Sequence, residues 1–348
     1  MKILIDIVHA ADVCFYKEAI QKLKKSHHLT VFVRPRGDLV AFAKRELDIP
    51  IRVVGRYSGN RLGKIGWAIH RVLCLTALCF RHSYDVVTSH GGFYIAIAAK
   101  IVGIRSVLFY DTYEYRSVFE LCRYFATVFV IPSSLGVRGK NIRTFYGYKE
   151  LAYLNNFQPS ECVLKKWGVE KKNYVFVRHI AHSSLDCWQH DHEDVLESIV
   201  KYLNAEDYPI IASIEKGADK IPLLSQSARM IDKPTTEMHS LMFYSRCVIS
   251  SGGTVAREGA LLGVPTFYIG NLYMRVDQEL IWTRRLLWPE KDRVVFELDR
   301  ILKTPLNNHP LHIPEWEDTT EVIVCYLTEE TPHVSDPYCQ VENFRLPS

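Results

Sequence analysis

The sequence predicts an α/β protein of two doubly wound domains facing each other across a cleft. Three observations carry this. Short apolar runs bounded by turn residues alternate with helical segments through the chain. The alternation pauses at Tyr146–Pro159 (YGYKELAYLNNFQP) and then restarts, as a chain does when it passes from one domain to the next. The 348 residues, 48% hydrophobic, suffice for about two cores. The boundaries read 1–155, 156–305 and a C-terminal segment 306–348.

In the first half, strand Lys2–Val8 is followed by helix Cys14–Lys25, strand Thr30–Val33, helix Asp38–Glu46 and strand Ile51–Val54. An apolar helical stretch then leads to strand Asp85–Ser89, helix Tyr94–Val102 ending at Gly103, strand Ser106–Tyr110, helix Ser117–Phe125 and strand Val128–Pro132. Strands that are apolar on both faces, joined by short connections, belong to parallel sheets covered on both sides. The second half places strands at Tyr174–Val177, Pro209–Ser213, Cys247–Ser250 and Thr266–Tyr268. Its helices fall at His192–Tyr202, Glu237–Tyr244, Thr254–Leu262 and Val276–Arg285. The tail from about Glu330 is polar, carries three prolines, and reads as disordered.

Composition excludes several classes. Lys+Arg 43 against Asp+Glu 39 is a near balance, so no nucleic-acid partner is expected. The nine cysteines are scattered without a CxxC pair, which removes metal-site spacing and favours reduced thiols. Because the chain opens on a strand with no signal peptide, a cytoplasmic location is expected. The stretch 60–83 is apolar over Ile65–Phe80 but interrupted by His70 and Arg71, too short to span a bilayer. Arg61, Lys64, Arg71 and Arg81 around an apolar face with Trp67 suit a helix lying on the anionic inner face of the plasma membrane. A core helix has nearly the same pattern, and both readings stay open here.

Ligands of doubly wound sheets sit at the carboxyl ends of strands, and polar residues recur there. His9 and Asp12 follow the first strand, His90-Gly91-Gly92 the fourth, and Asp111 and Glu114 the fifth. Arg178-His179, Glu215-Lys216 and Gly252-Gly253 follow strands of the second half. A glycine turn opening a helix after a strand exposes backbone N–H groups at a positive helix end, a site for phosphate or diphosphate. Each feature has a plainer reading: Asp12 as the N-cap of a helix from Val13, His9 and His90 as loop histidines, Arg178 paired to a surface carboxylate, and the glycine pair as an ordinary crossover.

The segments KILIDIVHAADVCFYKEAIQKL, SHGGFYIAIAAKIVGIRSVLFYD, FYGYKELAYLNNFQPSECVLKKWGV, YVFVR and SSGGTVAREGALLGVPTFYIG resemble a family catalogued as domain of unknown function 354, over roughly residues 1–305. That family is similar in turn to the lipid-linked N-acetylglucosaminyltransferase of peptidoglycan synthesis and to non-hydrolysing UDP-N-acetylglucosamine 2-epimerases. The resemblance implies a GT-B architecture of two Rossmann-like domains and a metal-free glycosyltransferase without a cofactor, serving surface or cell-wall polysaccharide synthesis. A nucleotide-diphosphate sugar would be the donor and a glycan or lipid-linked molecule the acceptor. Ser251, Gly252, Gly253 and Thr254 would hold the diphosphate, Glu258 the ribose, Arg178 the phosphate charge, and Asp277 and Gln278 the sugar hydroxyls. The first domain would bring the acceptor and base through His9, Asp12, His90, Asp111 and Glu114. Where the family has Asn-Pro-Pro-His after the first strand, this chain has His9-Ala10-Ala11-Asp12, placing a carboxylate at the histidine position. A carboxylate can serve as a general base. Two alternatives accompany this expectation: a 2-epimerase drawing on Asp111, Glu114 and His179, and a nucleotide-sugar-binding protein without catalysis.

Overall fold

A strand apolar on both faces can be buried only inside a covered parallel sheet, and β1 (Lys2–Ile7) is one, buried at every residue after Lys2. The computed structural model describes residues 1–55, 61–180, 191–215, 221–231, 237–304 and 316–329. It forms two compact units, Met1–Asn155 with Glu315–Ser348, and Asn156–Pro314. The expected tail from about 330 lies outside the described residues, as does Lys216.

In unit 1, β1 leads through α1 (Ala10–Leu23), β2 (His28–Val33), α2 (Leu39–Glu46), β3 (Ile51–Val53) and α3 (Arg61–His82) to β4 (Val86–His90). Then come α4 (Phe93–Val102), β5 (Arg105–Phe109), α5 (Arg116–Phe125), β6 (Val128–Pro132), β7 (Ile142–Phe145) and α6 (Leu151–Leu154). Unit 2 runs α7 (Cys162–Trp167), β8 (Val175–His179), α8 (Asp191–Ala205), β9 (Ile210–Ile214), α9 (Pro222–Ser227), β10 (Ala228–Met230) and α10 (Glu237–Tyr244). It continues with β11 (Cys247–Ser250), α11 (Gly253–Leu261), β12 (Thr266–Tyr268), α12 (Gln278–Trp282), β13 (Leu286–Leu287) and α13 (Val294–Lys303). The chain closes on α14 (Thr319–Thr328), which belongs to unit 1.

The seven-stranded sheet has the order β3-β2-β1-β4-β5-β6-β7 and the six-stranded one β10-β9-β8-β11-β12-β13, parallel throughout. Each reverses direction once, between β1 and β4 in unit 1 and between β8 and β11 in unit 2. These are the switch points where strand ends splay and ligands enter.

Several elements differ from the sequence expectation. β7, β10 and β13 were not foreseen, since edge strands of two to four residues carry no readable period. Helix α1 begins at Ala10, not Cys14, because Asp12 stabilises its first turn from inside the helix. The helix expected at Val276–Arg285 stops at Trp282, and the chain turns into β13. Helix α14 buries Val322, Ile323 and Leu327 in the same core as Ile20 and Leu23 of α1, worth roughly 1.5–3 kcal/mol for each large side chain. Asp318 caps it, accepting the Thr320 N–H at 2.8 Å.

Helix α3 satisfies the core-helix reading on one face and departs from it on the other. Leu75 and Cys79 are fully buried, and Arg71 reaches Asp6 Oδ1 of β1 at 2.5 Å. Ile69, Leu73 and Phe80 are exposed by 57%, 63% and 79%, apolar groups with no cover among the described residues. No helix among the described residues is long and apolar enough to cross a membrane.

Candidate functional site

At the switch point of unit 1, His90 ends β4 with its ring held between two carboxylates. Nδ1 lies 3.4 Å from Asp12 Oδ1 and Nε2 lies 3.5 Å from Asp111 Oδ1. Asp111, directly past β5, also meets Lys149 Nζ at 2.8 Å through Oδ2 and accepts from Thr112 Oγ1 at 3.1 Å. Phe15 and Tyr110 place their rings 5.1 and 6.0 Å from the imidazole. The arrangement alternates sign: carboxylate, imidazole, carboxylate, ammonium.

Asp12 is a capping residue, but from the third helical position and not as N-cap. Its Oδ2 accepts the N–H groups of Val8 at 3.0 Å and His9 at 2.8 Å, two donors that a helix start leaves without partners. With its other oxygen on His90 and only 1% exposure, Asp12 is built to hold His90 in place. His9 itself is exposed, with Nδ1 3.1 Å from Arg36 Nη1. Glu114 is half-buried on the turn after β5.

Burial resists charging Asp12, but the His90 hydrogen bond, the neighbouring His9 charge and the Val8 N–H outweigh it and hold the carboxyl below its usual range. Burial also resists the His90 imidazolium, and the two flanking carboxylates, Asp111 and Asp12, outweigh it and raise the ring above the ordinary histidine value of 6.5. The signs fix a pH window. A raised histidine contributes stability that is complete below about 6.5 and lost as pH rises through its folded value, whereas a depressed aspartate contributes above about 3.9 and loses it as pH falls through its folded value. The melting-temperature difference between the native chain and His90→Gln is therefore expected to be largest between about pH 4 and 6.5 and to shrink on the alkaline side. Thermal melts across that range check it, and a pH-independent difference would contradict the ion pairing.

In unit 2 the two strands at the switch point are stitched together. Ser251 N–H donates to the Arg178 carbonyl at 3.0 Å, and Ser251 Oγ accepts the Ile180 N–H at 3.0 Å. Ser250 Oγ accepts the Gly252 N–H at 3.1 Å and donates to the Gly252 carbonyl at 2.7 Å, locking the turn. A Cβ on Gly252 would stand 2.9 Å from Ile180 Cγ2, so a larger residue there would have to push the Ile180 side chain aside. Gly252 is the N-cap of α11 and brings no side-chain cap. The N–H groups of Gly253, Thr254 and Val255 therefore start the helix without intrahelical acceptors, at its positive end.

Charged groups surround this turn. Arg178 donates from Nη1 to Ser213 Oγ at 2.8 Å. Burial lowers its pKa, opposed by the charges of Glu215 and Glu258, and it stays a cation. Glu258 is 6% exposed, with Oε1 3.4 Å from His239 Nε2. The His239 ring lies edge-on to Phe157 at 5.8 Å. Arg257, one residue earlier, donates to Asp277 Oδ1 at 3.0 Å and to Met274 Sδ at 3.5 Å. Asp277, expected among sugar contacts, is thus the buried partner of Arg257, and half-buried Gln278 begins α12. His179, at the end of β8, is fully buried.

Sequence reading missed Lys149, His239 and Arg257. It searched strand ends, whereas Lys149 sits in the YGYKELAYL run after β7 and His239 on α10. Arg257 lies inside α11, and its partner is 20 positions on.

The family described as protein of unknown function (DUF354) matches residues 1–330. An uncharacterized protein of Methanocaldococcus jannaschii is 24% identical over 312 residues, covering 86% of this chain and 88% of its own length. Among solved structures, the UDP-GlcNAc 2-epimerase of the same organism in complex with UDP-GlcNAc and UDP aligns with a TM-score of 0.72 at 15% identity, covering 94% of this chain and 100% of that one. A glycosyltransferase of kitacinnamycin aligns with a TM-score of 0.57 at 13% identity, over 87% of this chain and 91% of that one. At such identities the likeness shows the fold, two Rossmann-like units of the GT-B type.

Proposed function

We propose that this chain, which belongs to the family described as protein of unknown function (DUF354), is a nucleotide-sugar enzyme. Its reaction is the transfer of a sugar from a nucleoside-diphosphate donor to a glycan or lipid-linked acceptor in surface or cell-wall polysaccharide synthesis. The observation that carries this reading is the uncapped Gly252-Gly253 turn at the switch point of unit 2, with Arg178 and Glu258 beside it. That solved proteins of the same fold carry UDP and UDP-GlcNAc supports it.

In this reading the diphosphate rests on the N–H groups of Gly253 and Thr254, next to Ser251. Arg178 and the helix end supply the positive charge that the leaving nucleotide needs, with no metal or cofactor. Glu258, oriented by His239, accepts from the ribose hydroxyls, and Gln278 meets the sugar. Unit 1 handles the proton, with His90 and Asp111 reacting and Asp12 and Lys149 fixing them; His9 and Glu114 are further candidates for contact with the acceptor.

The test incubates the protein with a panel of nucleotide sugars and acceptors, with and without EDTA. Acceptor-dependent release of free nucleotide, unchanged by EDTA, is the expected result. A second reading is a 2-epimerase, favoured by the His90 ring between two carboxylates, which can both give and take a proton; it yields an isomerised sugar still attached to its nucleotide. A nucleotide-induced rise in melting temperature with no product under any condition would leave a binding protein. Glu258→Ala is expected to weaken UDP binding by about 10- to 100-fold, the loss of hydrogen bonds to a charged acceptor. Unchanged affinity in a calorimetric titration would remove Glu258 from the site.

We also propose a cytoplasmic protein that rests on anionic lipid through the exposed face of α3. Phe80→Asp is expected to abolish co-sedimentation with vesicles containing anionic lipid, with neutral vesicles as control. Equal sedimentation of both proteins would contradict the contact.

A further inference from the structure

We propose that unit 2 holds a separate carbohydrate-binding site on an aromatic shelf at the carboxyl ends of β12 and β13. Tyr268 ends β12, Trp288 follows directly on β13, and Tyr273 lies in the segment between. The Trp288 ring stands 5.4 Å from Tyr273 at 34° and 6.4 Å at 35° from Tyr268, which is buried and supports it, so the open rings of the shelf are Trp288 and Tyr273. Its Nε1 donates to the Gly270 carbonyl at 2.9 Å, which fixes the indole and uses its one polar atom. A side chain at Gly270 would collide with the Tyr268 ring, so the backbone there is fitted to the shelf.

Tyr268 and Trp288 border a cavity of about 260 Å³, whose polar rim is Asn271, Glu290 and Lys291; Tyr273 extends the shelf beyond it from its contact with Trp288. Tyr273 and Trp288 remain 40% and 39% exposed, although large aromatic groups gain most from burial. Apolar faces with hydrogen-bonding groups at the edge match a sugar ring, whose C–H face stacks while its hydroxyls reach the rim. Glu290 and Lys291 bring one charge of each sign to the rim, so it offers hydroxyls both an acceptor and a donor without the net positive charge that a phosphate would need.

The shelf is distinct from the glycine turn, yet it lies on the same edge of the sheet. β12 pairs with β11, and β13 with β12, so the shelf begins one strand away from Gly252-Gly253.

The test titrates the full chain by calorimetry with maltotriose, mannotriose, cellotriose and chitotriose, and separately with UMP and UDP. At least one oligosaccharide is expected to bind, and Trp288→Ala and Tyr273→Ala each to weaken it roughly tenfold, the loss of one stacked ring. UDP affinity stays at its native value, and Trp288→Phe restores part of the binding. Should Trp288→Ala unfold, Tyr273→Ala alone decides. The proposal is overturned if no oligosaccharide binds the native chain, if both variants bind it undiminished, or if the variants lose UMP instead. Glu258→Ala run on the same panel separates the two readings, because it affects UDP and leaves the oligosaccharide untouched.

Discussion

His90→Gln is expected to lower turnover of a nucleotide sugar by about 10²- to 10⁴-fold, the range a positioned acid or base supplies, with UDP affinity unchanged. Glutamine keeps two polar atoms in the space of the ring but cannot carry a proton between Asp12 and Asp111. The loss should fall on kcat and not on KM, because no atom of this centre belongs to the nucleotide-binding turn. Two companions sharpen the reading. Asp12→Asn leaves the helix cap a neutral acceptor and should shift the pH profile of activity, because the raised pKa of His90 depends on both carboxylates. Lys149→Met removes the ammonium paired with Asp111 and should also act through the profile. A His90→Gln enzyme that turns over at the native rate would exclude His90 and its two carboxylates from the chemistry.

The largest expected loss of stability is at Arg257. Arg257 and Asp277 are each about 2% exposed and joined at 3.0 Å. Deleting one member of a buried pair leaves the other charge stranded, and Arg257→Met is expected to cost about 3–5 kcal/mol. The double variant Arg257→Met with Asp277→Leu should recover most of that, because two apolar groups of similar volume leave no uncompensated charge. Denaturant midpoints of the three proteins check this. The single variant should also bind UDP more weakly, since Arg257 ties the N-terminal half of α11 to the segment before α12. A loss below about 1 kcal/mol in the single variant, typical of an exposed pair, would contradict a structural role for the ion pair.

Much of this architecture was legible in the sequence because its physical causes are local. The apolar runs of β1, β4 and β5 announce buried parallel strands, and Ser250-Ser251-Gly252-Gly253 announces a tight turn before a helix. Three of the short edge strands, β7, β10 and β13, were illegible, since two to four residues hold no period, whereas β3, equally short, is framed by Pro50 and Gly55. The roles of individual side chains were harder to read than their positions. Asp12 and Asp277 are carboxylates in the segments that follow strands, which fits both a reacting group and a buried anchor. Only their partners distinguish the two: the Val8 and His9 N–H groups for Asp12 and Arg257 for Asp277. Lys149 and His239 were invisible for the opposite reason. Each reaches its carboxylate from an element far away in sequence, and no spacing rule links Lys149 to Asp111 or His239 to Glu258.

The central claim is that the glycine turn of unit 2 is a nucleotide-diphosphate site. The most direct measurement is a crystal structure of the protein soaked in UDP. The diphosphate is expected on the N–H groups of Gly253 and Thr254, with Arg178 within hydrogen-bond reach and the ribose hydroxyls on Glu258. UDP bound elsewhere with the turn empty, or refused at saturating concentration, would contradict the account.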